Sequence, residues 1–156
     1  MSNINSMTKW LTDSFTKPEI PPSRFIILTF LNILLIAYYG KFRCNYINSH
    51  KDILEDNIFM NSDKYGLDGW SITHFISHAF AGYLYPRSFL VVQAVGIMWE
   101  LFETYVGVCK PDFIKSIGFC KVSDDKYKVW WYGKISDIFV NCLGFMIGVY
   151  VYTLMN

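Results

Sequence analysis

The chain has 156 residues, of which 53% are hydrophobic, 19% aromatic and only 17% charged, with a formal net charge of +1. It is too apolar for an ordinary soluble domain and too short for two domains. Its near-neutral balance gives no reason to expect a nucleic-acid partner.

Residues 1–24 read as an N-terminal interfacial segment. Met7, Trp10, Leu11 and Phe15 recur at helical spacing, with Lys9, Asp13 and Lys17 between them. That pattern predicts an amphipathic helix on the membrane surface, stopped by Pro18 and Pro21-Pro22. A disordered tail is the alternative.

Residues 25–156 read as a single four-helix membrane domain with polar loops at 40–69 and 109–134. The first span runs from Phe25 to Tyr39, flanked by Arg24, Lys41 and Arg43, whose stems can snorkel. It could also be a signal-peptide core, but no small-x-small cleavage pattern follows, which favours an uncleaved anchor. The second span runs from Trp70 to Tyr85, the third from Ser88 to Val108 and the fourth from Ile135 to Met155. Only Pro86-Arg87 separates the second and third, which predicts a tight antiparallel hairpin. The expected fold is therefore all-α: an integral, multi-pass membrane bundle with about four transmembrane helices.

Four cysteines, Cys44, Cys109, Cys120 and Cys142, lack the CxxC spacing of a zinc site. Cys142 lies in an apolar run and reads as a packing residue. The other three can pair only if their loops face an oxidising compartment. The two loops carry ten of the fourteen Lys and Arg, so the positive-inside rule places them in the cytosol with their cysteines reduced.

The polar residues inside the spans carry the functional signal. His74 and His78 lie on the second span, Glu100 and Glu103 on the third, Asp137 and Asn141 on the fourth. Each pair is spaced by three or four residues and so shares a helix face. At about 1.5 Å per residue, all six fall within the outer two turns of the loop side. An ionised carboxylate in hydrocarbon costs roughly 2.5–3.5 kcal/mol on the insertion scale. No Lys or Arg lies within the apolar stretches to offset it, so a bound cation is the simplest partner. Glu100, Glu103, Asp137 and Asn141 offer hard oxygen donors, suited to Ca2+, Mg2+ or Mn2+. His74 and His78 could add nitrogen ligands for zinc, but oxygens dominate, which leaves a histidine for proton transfer. Buried Asn and His also bond across helices without doing chemistry, an even alternative for Asn141 and His78.

In order and spacing these residues resemble the eukaryotic base-exchange phosphatidylserine synthases. Asp68 precedes His74-Phe75 by six residues, and Arg87-Ser88 follows at nearly the family distance. Trp99-Glu100-Leu101-Phe102-Glu103 looks like the family's tryptophan-glutamate motif, and Pro111-Asp112-Phe113 stands where the family has Pro-Asn-Phe. Trp130-Trp131 and Asp137 repeat its Trp-Trp and downstream Asp, and Gly144 and Gly148 echo its Gly-rich last span. The resemblance covers roughly residues 68–150. The family has many more membrane helices, and its asparagine falls where this chain has Cys142. The Asp137-x-x-x-Asn141-x-x-Gly144 spacing is instead similar to VanZ-like membrane proteins.

The resemblance implies exchange of a phospholipid head group, L-serine replacing choline or ethanolamine, with calcium as cofactor. It implies His74 as the catalytic base, or as a nucleophile on phosphorus, with Asp68 and Arg87 in support; His78, on the same helix face, is a further candidate supporting residue. An endoplasmic-reticulum-like membrane follows if the cell is eukaryotic, and the oligomeric state is left open. The alternatives are a head-group hydrolase and a non-enzymatic VanZ-like protein that binds a lipid or lipophilic ligand.

Overall fold

The computed structural model describes residues 8–10, 12, 13, 15–17, 19, 23–46, 54, 58, 66–114, 117–123, 126–129 and 131–156. Four long helices carry it: α1 (Ser23–Tyr46), α2 (Gly69–Leu84), α3 (Phe89–Cys109) and α4 (Ile135–Met155). Three of them, α1, α3 and α4, are long and apolar enough to cross a membrane. The 16 residues of α2 reach only about 24 Å, short of a hydrocarbon core of about 30 Å. The chain is thus an integral membrane protein with an all-α bundle. α1 runs past the expected end at Tyr39 to Tyr46, so Lys41 and Arg43 lie on the helix.

α4 is the central element. It packs most extensively on α2 and next on α3, whereas α2 and α3 touch little beyond their shared turn. The tight Pro86-Arg87 connection exists, with Ser88 N–H donating to Tyr85 C=O at 3.0 Å, but α4 wedges the two helices apart. The wedge depends on small residues. A Cβ at Gly144 would collide with Phe75 C=O, and one at Gly148 with Ala79 C=O. Close approach through a Gly-x-x-x-Gly stripe gains van der Waals contact where lipid supplies no hydrophobic drive.

Two buried clusters flank this seam. Val92, Phe145 and Val149 form one, with Trp10, Phe25, Ala81 and Phe89 packed against it. Val106, Ile114, Phe119, Cys120 and Trp131 form the other, joined by Ile36, Cys44, Trp70, Trp99 and Phe102. Much of α1 points outward, with Ile26 and Leu35 exposed to what is lipid in a membrane.

The described residues before α1 are helical from Thr8 to Thr16, as their spacing predicts; Met7 and Leu11 lie outside the described residues. Trp10 meets Tyr152 edge-on at 5.5 Å, and the Arg87 guanidinium lies 4.5 Å above the Trp10 ring. This segment therefore packs on the Pro86-Arg87 end of the bundle.

The connection after α3 holds structure that the sequence reading left out. Lys110, left-handed at φ 49°, ends α3, and Pro111 cannot continue it. A 3₁₀ turn at Asp112–Ile114 leads to an antiparallel hairpin of β1 (Phe119–Ser123) and β2 (Lys126–Val129), with Phe119 opposite Val129. Cys120 on β1 is disulfide-bonded to Cys44 at the end of α1. The expectation that Cys44 and Cys120 are reduced is therefore not met; Cys109 is free and exposed.

Candidate metal centre

The site is built where α2 begins, α3 nears its end and α4 begins. Asp68 caps α2: its carboxylate accepts the Ser71 N–H at 3.1 Å, and the Ser71 hydroxyl oxygen accepts the Asp68 N–H in return. The reciprocal bonds satisfy two backbone donors that a helix start leaves open. They also aim the Ser71 hydroxyl at α4, where it donates to Asp137 Oδ1 at 2.5 Å. Asp137, 3% exposed, sits in the first turn of α4, where a negative charge also suits the helix dipole.

Glu100 comes from α3 and is 4% exposed. Its Oε2 accepts the Lys134 backbone N–H at 2.8 Å. Gly133 permits that bond, because a Cβ there would strike the Glu100 C=O. The Lys134 ammonium turns away to Asp68 Oδ2 at 2.6 Å and Gly66 C=O at 3.2 Å, and the Tyr132 hydroxyl donates to the same Asp68 oxygen at 3.1 Å. A buried ion pair survives only where further hydrogen bonds satisfy its charges, as they do here.

His74 closes the group. One ligand atom each from His74, Glu100 and Asp137 lie within 4.8 Å of one another, drawn from three different helices. His74 Nδ1 is 3.5 Å from Glu100 Oε1 and 3.1 Å from Asn141 Oδ1. With the Asn141 amide oxygen facing it as acceptor, Nδ1 would carry the proton and Nε2 would keep its lone pair. Glu100 Oε1 and Asn141 Nδ2 are buried without a hydrogen-bond partner, and Asn141 is 0% exposed. Such orphaned polar atoms point to a missing ligand. Asp68, Glu100 and Asp137 gather around one ammonium, that of Lys134, a crowding of carboxylates that a divalent cation would relieve.

Several expected site residues fall elsewhere. Glu103 does not join the gathered group; His74 stands in its place. Three residues along α3, it is displaced about 4.5 Å toward the loops and about 60° around the axis from Glu100. His78 donates from Nδ1 to His74 C=O at 3.0 Å, its ring stacked 6.4 Å from His74 and outside the group. Arg87 lies at the opposite end of the bundle, paired with Glu19 and stacked on Trp10, so it supports the N-terminal segment and not this centre. Asp68 does support it, through Ser71 and Lys134.

As site residues, Ser71, Tyr132, Lys134 and Gln93 were absent from the sequence reading; Lys134 entered only as the end of the 109–134 loop. Gln93 Nε2 donates to Asn141 C=O at 3.5 Å, and its Oε1 accepts from Cys142 Sγ at 3.2 Å. Ser71 had a readable signal, the Asp-x-x-Ser capping spacing; the other three had none. Comparison with family models, with characterised proteins and with solved structures finds no match for this chain.

Proposed function

We propose that the chain is a phospholipid head-group transferase of the base-exchange type, working at a divalent-cation site in the membrane. The observation that carries this reading is the buried meeting of Glu100, Asp137 and His74 from three helices. Two carboxylates in one apolar bundle need either a cation or a shared proton, and a cation site bound by one or two carboxylates commonly completes its shell with phosphate oxygens. Ca2+, Mg2+ or Mn2+ fits the oxygen donors. When bound, the ion supplies neutralisation of the phosphodiester and of the charge that builds on its oxygens.

The chain's own residues supply the proton chemistry. In this reading Asn141 Oδ1 accepts the Nδ1 proton of His74, 3.1 Å away, and Nε2 serves as the base. Nε2 takes the proton from the incoming serine hydroxyl as its oxygen bonds to phosphorus. The bond from phosphorus to the choline or ethanolamine oxygen breaks, and the same proton passes to that leaving alcohol. Burial of Glu100, Asp137 and Asn141 keeps water from competing, since attack by water yields phosphatidic acid.

A second reading is a non-enzymatic, VanZ-like binder of a lipid or lipophilic ligand, favoured by the Asp137-Asn141-Gly144 spacing and the unpartnered Asn141 Nδ2. The test is to incubate purified protein with phosphatidylcholine liposomes, labelled L-serine and each divalent cation in turn. Labelled phosphatidylserine and free choline in equal amounts support exchange. Phosphatidic acid without serine would make the chain a hydrolase, and absence of turnover with every cation leaves the binder.

A further inference from the structure

We infer that the polar end of the bundle, and with it the metal centre, faces an oxidising compartment and not the cytosol. The Cys44–Cys120 disulfide joins the last turn of α1 to β1 across 76 residues of sequence. It is not a peripheral bond. Cys120 is 1% exposed and packs with Val106, Ile114, Phe119 and Trp131, and Cys44 lies against the same cluster. The Trp131 indole donates to Ile117 C=O at 2.7 Å, which ties the hairpin to the strand of chain leading into α4. Three residues on, the Lys134 N–H holds Glu100. The disulfide therefore belongs to the roof over the site, on the same side of the membrane.

Structural disulfides persist in oxidising compartments and are kept reduced in most cytosols. The lysine and arginine count argues the other way, and its weight falls once the fold is known. Orientation responds to basic residues near span ends. On the polar end, Arg43 is 4% exposed and Lys134 is buried against Asp68, so two of the nearest charges are taken up in the fold. Lys41 and Lys110 stay exposed there, while on the opposite end Arg24 flanks α1, Lys17 lies close in sequence and Arg87 is paired with Glu19. The count near the span ends is therefore close to even, and the disulfide decides. The opposite end is the cytosolic one.

The consequence for the site rests on the proposed function: its cation and its amino alcohol are drawn from the non-cytosolic pool. A calcium centre there can belong to the weak class, with dissociation constants of roughly 10⁻⁴–10⁻³ M.

The orientation is tested without reading activity. Cys109, free and exposed at the polar end of α3, is the reporter. A membrane-impermeant maleimide is applied to sealed vesicles bearing the full chain, from either face in separate samples, with Cys109→Ser to identify the labelled position. The expected result is labelling of Cys109 from the non-cytosolic face alone, with Cys44 and Cys120 alkylated only after reduction and denaturation. Labelling from the cytosolic face, no labelling from the non-cytosolic face, or alkylation of Cys44 and Cys120 without reductant would each overturn the inference. None of these outcomes bears on whether lipid exchange occurs, which the liposome assay reads separately.

Discussion

The two ends of α4 are held by opposite means. Its first two turns, with Asp137 and Asn141, meet α2 and α3 through charges and hydrogen bonds to Ser71, His74 and Gln93. Its later turns, from Gly144 to Val149, meet α2 through backbone contact across glycines and bury Phe145 and Val149 completely. The glycine end sets the distance between helices. The polar end uses that distance to hold buried acceptors close without filling the space between them. A bundle packed closely along its whole length would leave no room for an ion, and one polar along its whole length would not stay together in lipid.

This contrast can be broken from either side, starting with the largest effect. His74→Ala should lower exchange activity by about 10²–10⁴-fold, roughly 2.7–5.4 kcal/mol in barrier, with the fold kept and the cation still held by Glu100 and Asp137. Loss of the cation along with activity would make His74 a ligand and not the base. Lys134→Met leaves the Asp68 carboxylate buried without its ammonium, and breaking such pairs costs about 3–5 kcal/mol. Pairing it with Asp68→Asn should recover part of that loss in thermal unfolding, because the two residues are coupled. An additive double variant would mean that the pair does not hold the polar end.

Gly148→Leu attacks the other end. Overpacking typically costs about 1–3 kcal/mol, and here the added side chain meets the Ala79 backbone, which cannot yield. The melting temperature should fall while cation affinity in the surviving folded fraction stays close to that of the parent. Equal loss of both would show that the two ends do not act separately. The smallest effect is that of Glu100→Gln measured in chelator. Removing one of two neighbouring buried carboxylates should leave stability unchanged or raise it by about 1 kcal/mol, while cation affinity falls and excess calcium partly restores activity. A marked drop in chelator would mean that Glu100 acts chiefly as an acceptor for the Lys134 N–H.

Much of this contrast was legible in the sequence. The helices, their order and the shared depth of His74, Glu100, Asp137 and Asn141 follow from hydropathy and the 1.5 Å rise. Glu103 was misplaced because spacing says which residues share a face, not which side of that face meets a neighbour; that depends on α4 lying between α2 and α3. The hairpin had a signal that went unread, with Asp124-Asp125 set between two short runs rich in strand-forming residues. The Cys44–Cys120 pairing had none, since nothing local to either residue specifies a partner 76 residues away. Lys134 closes the polar loop 109–134 in the sequence, where a charge ordinarily meets water. Its burial follows from Asp68, which had already turned inward to cap α2.

The central place of α4 also bears on how the molecule is made. α2 and α3 precede it in synthesis, and the hairpin-bearing connection lies between. Through that interval His74 and Glu100 occupy the membrane without Asp137 or Asn141 opposite them. The arriving helix presents its acidic end first and its glycines after, so the residues that fix spacing are translated later than those that need it. The gathering of His74, Glu100 and Asp137 cannot form as the chain emerges. It matures only when the seam closes behind it, which makes insertion of α4 the step that turns two splayed helices into a site.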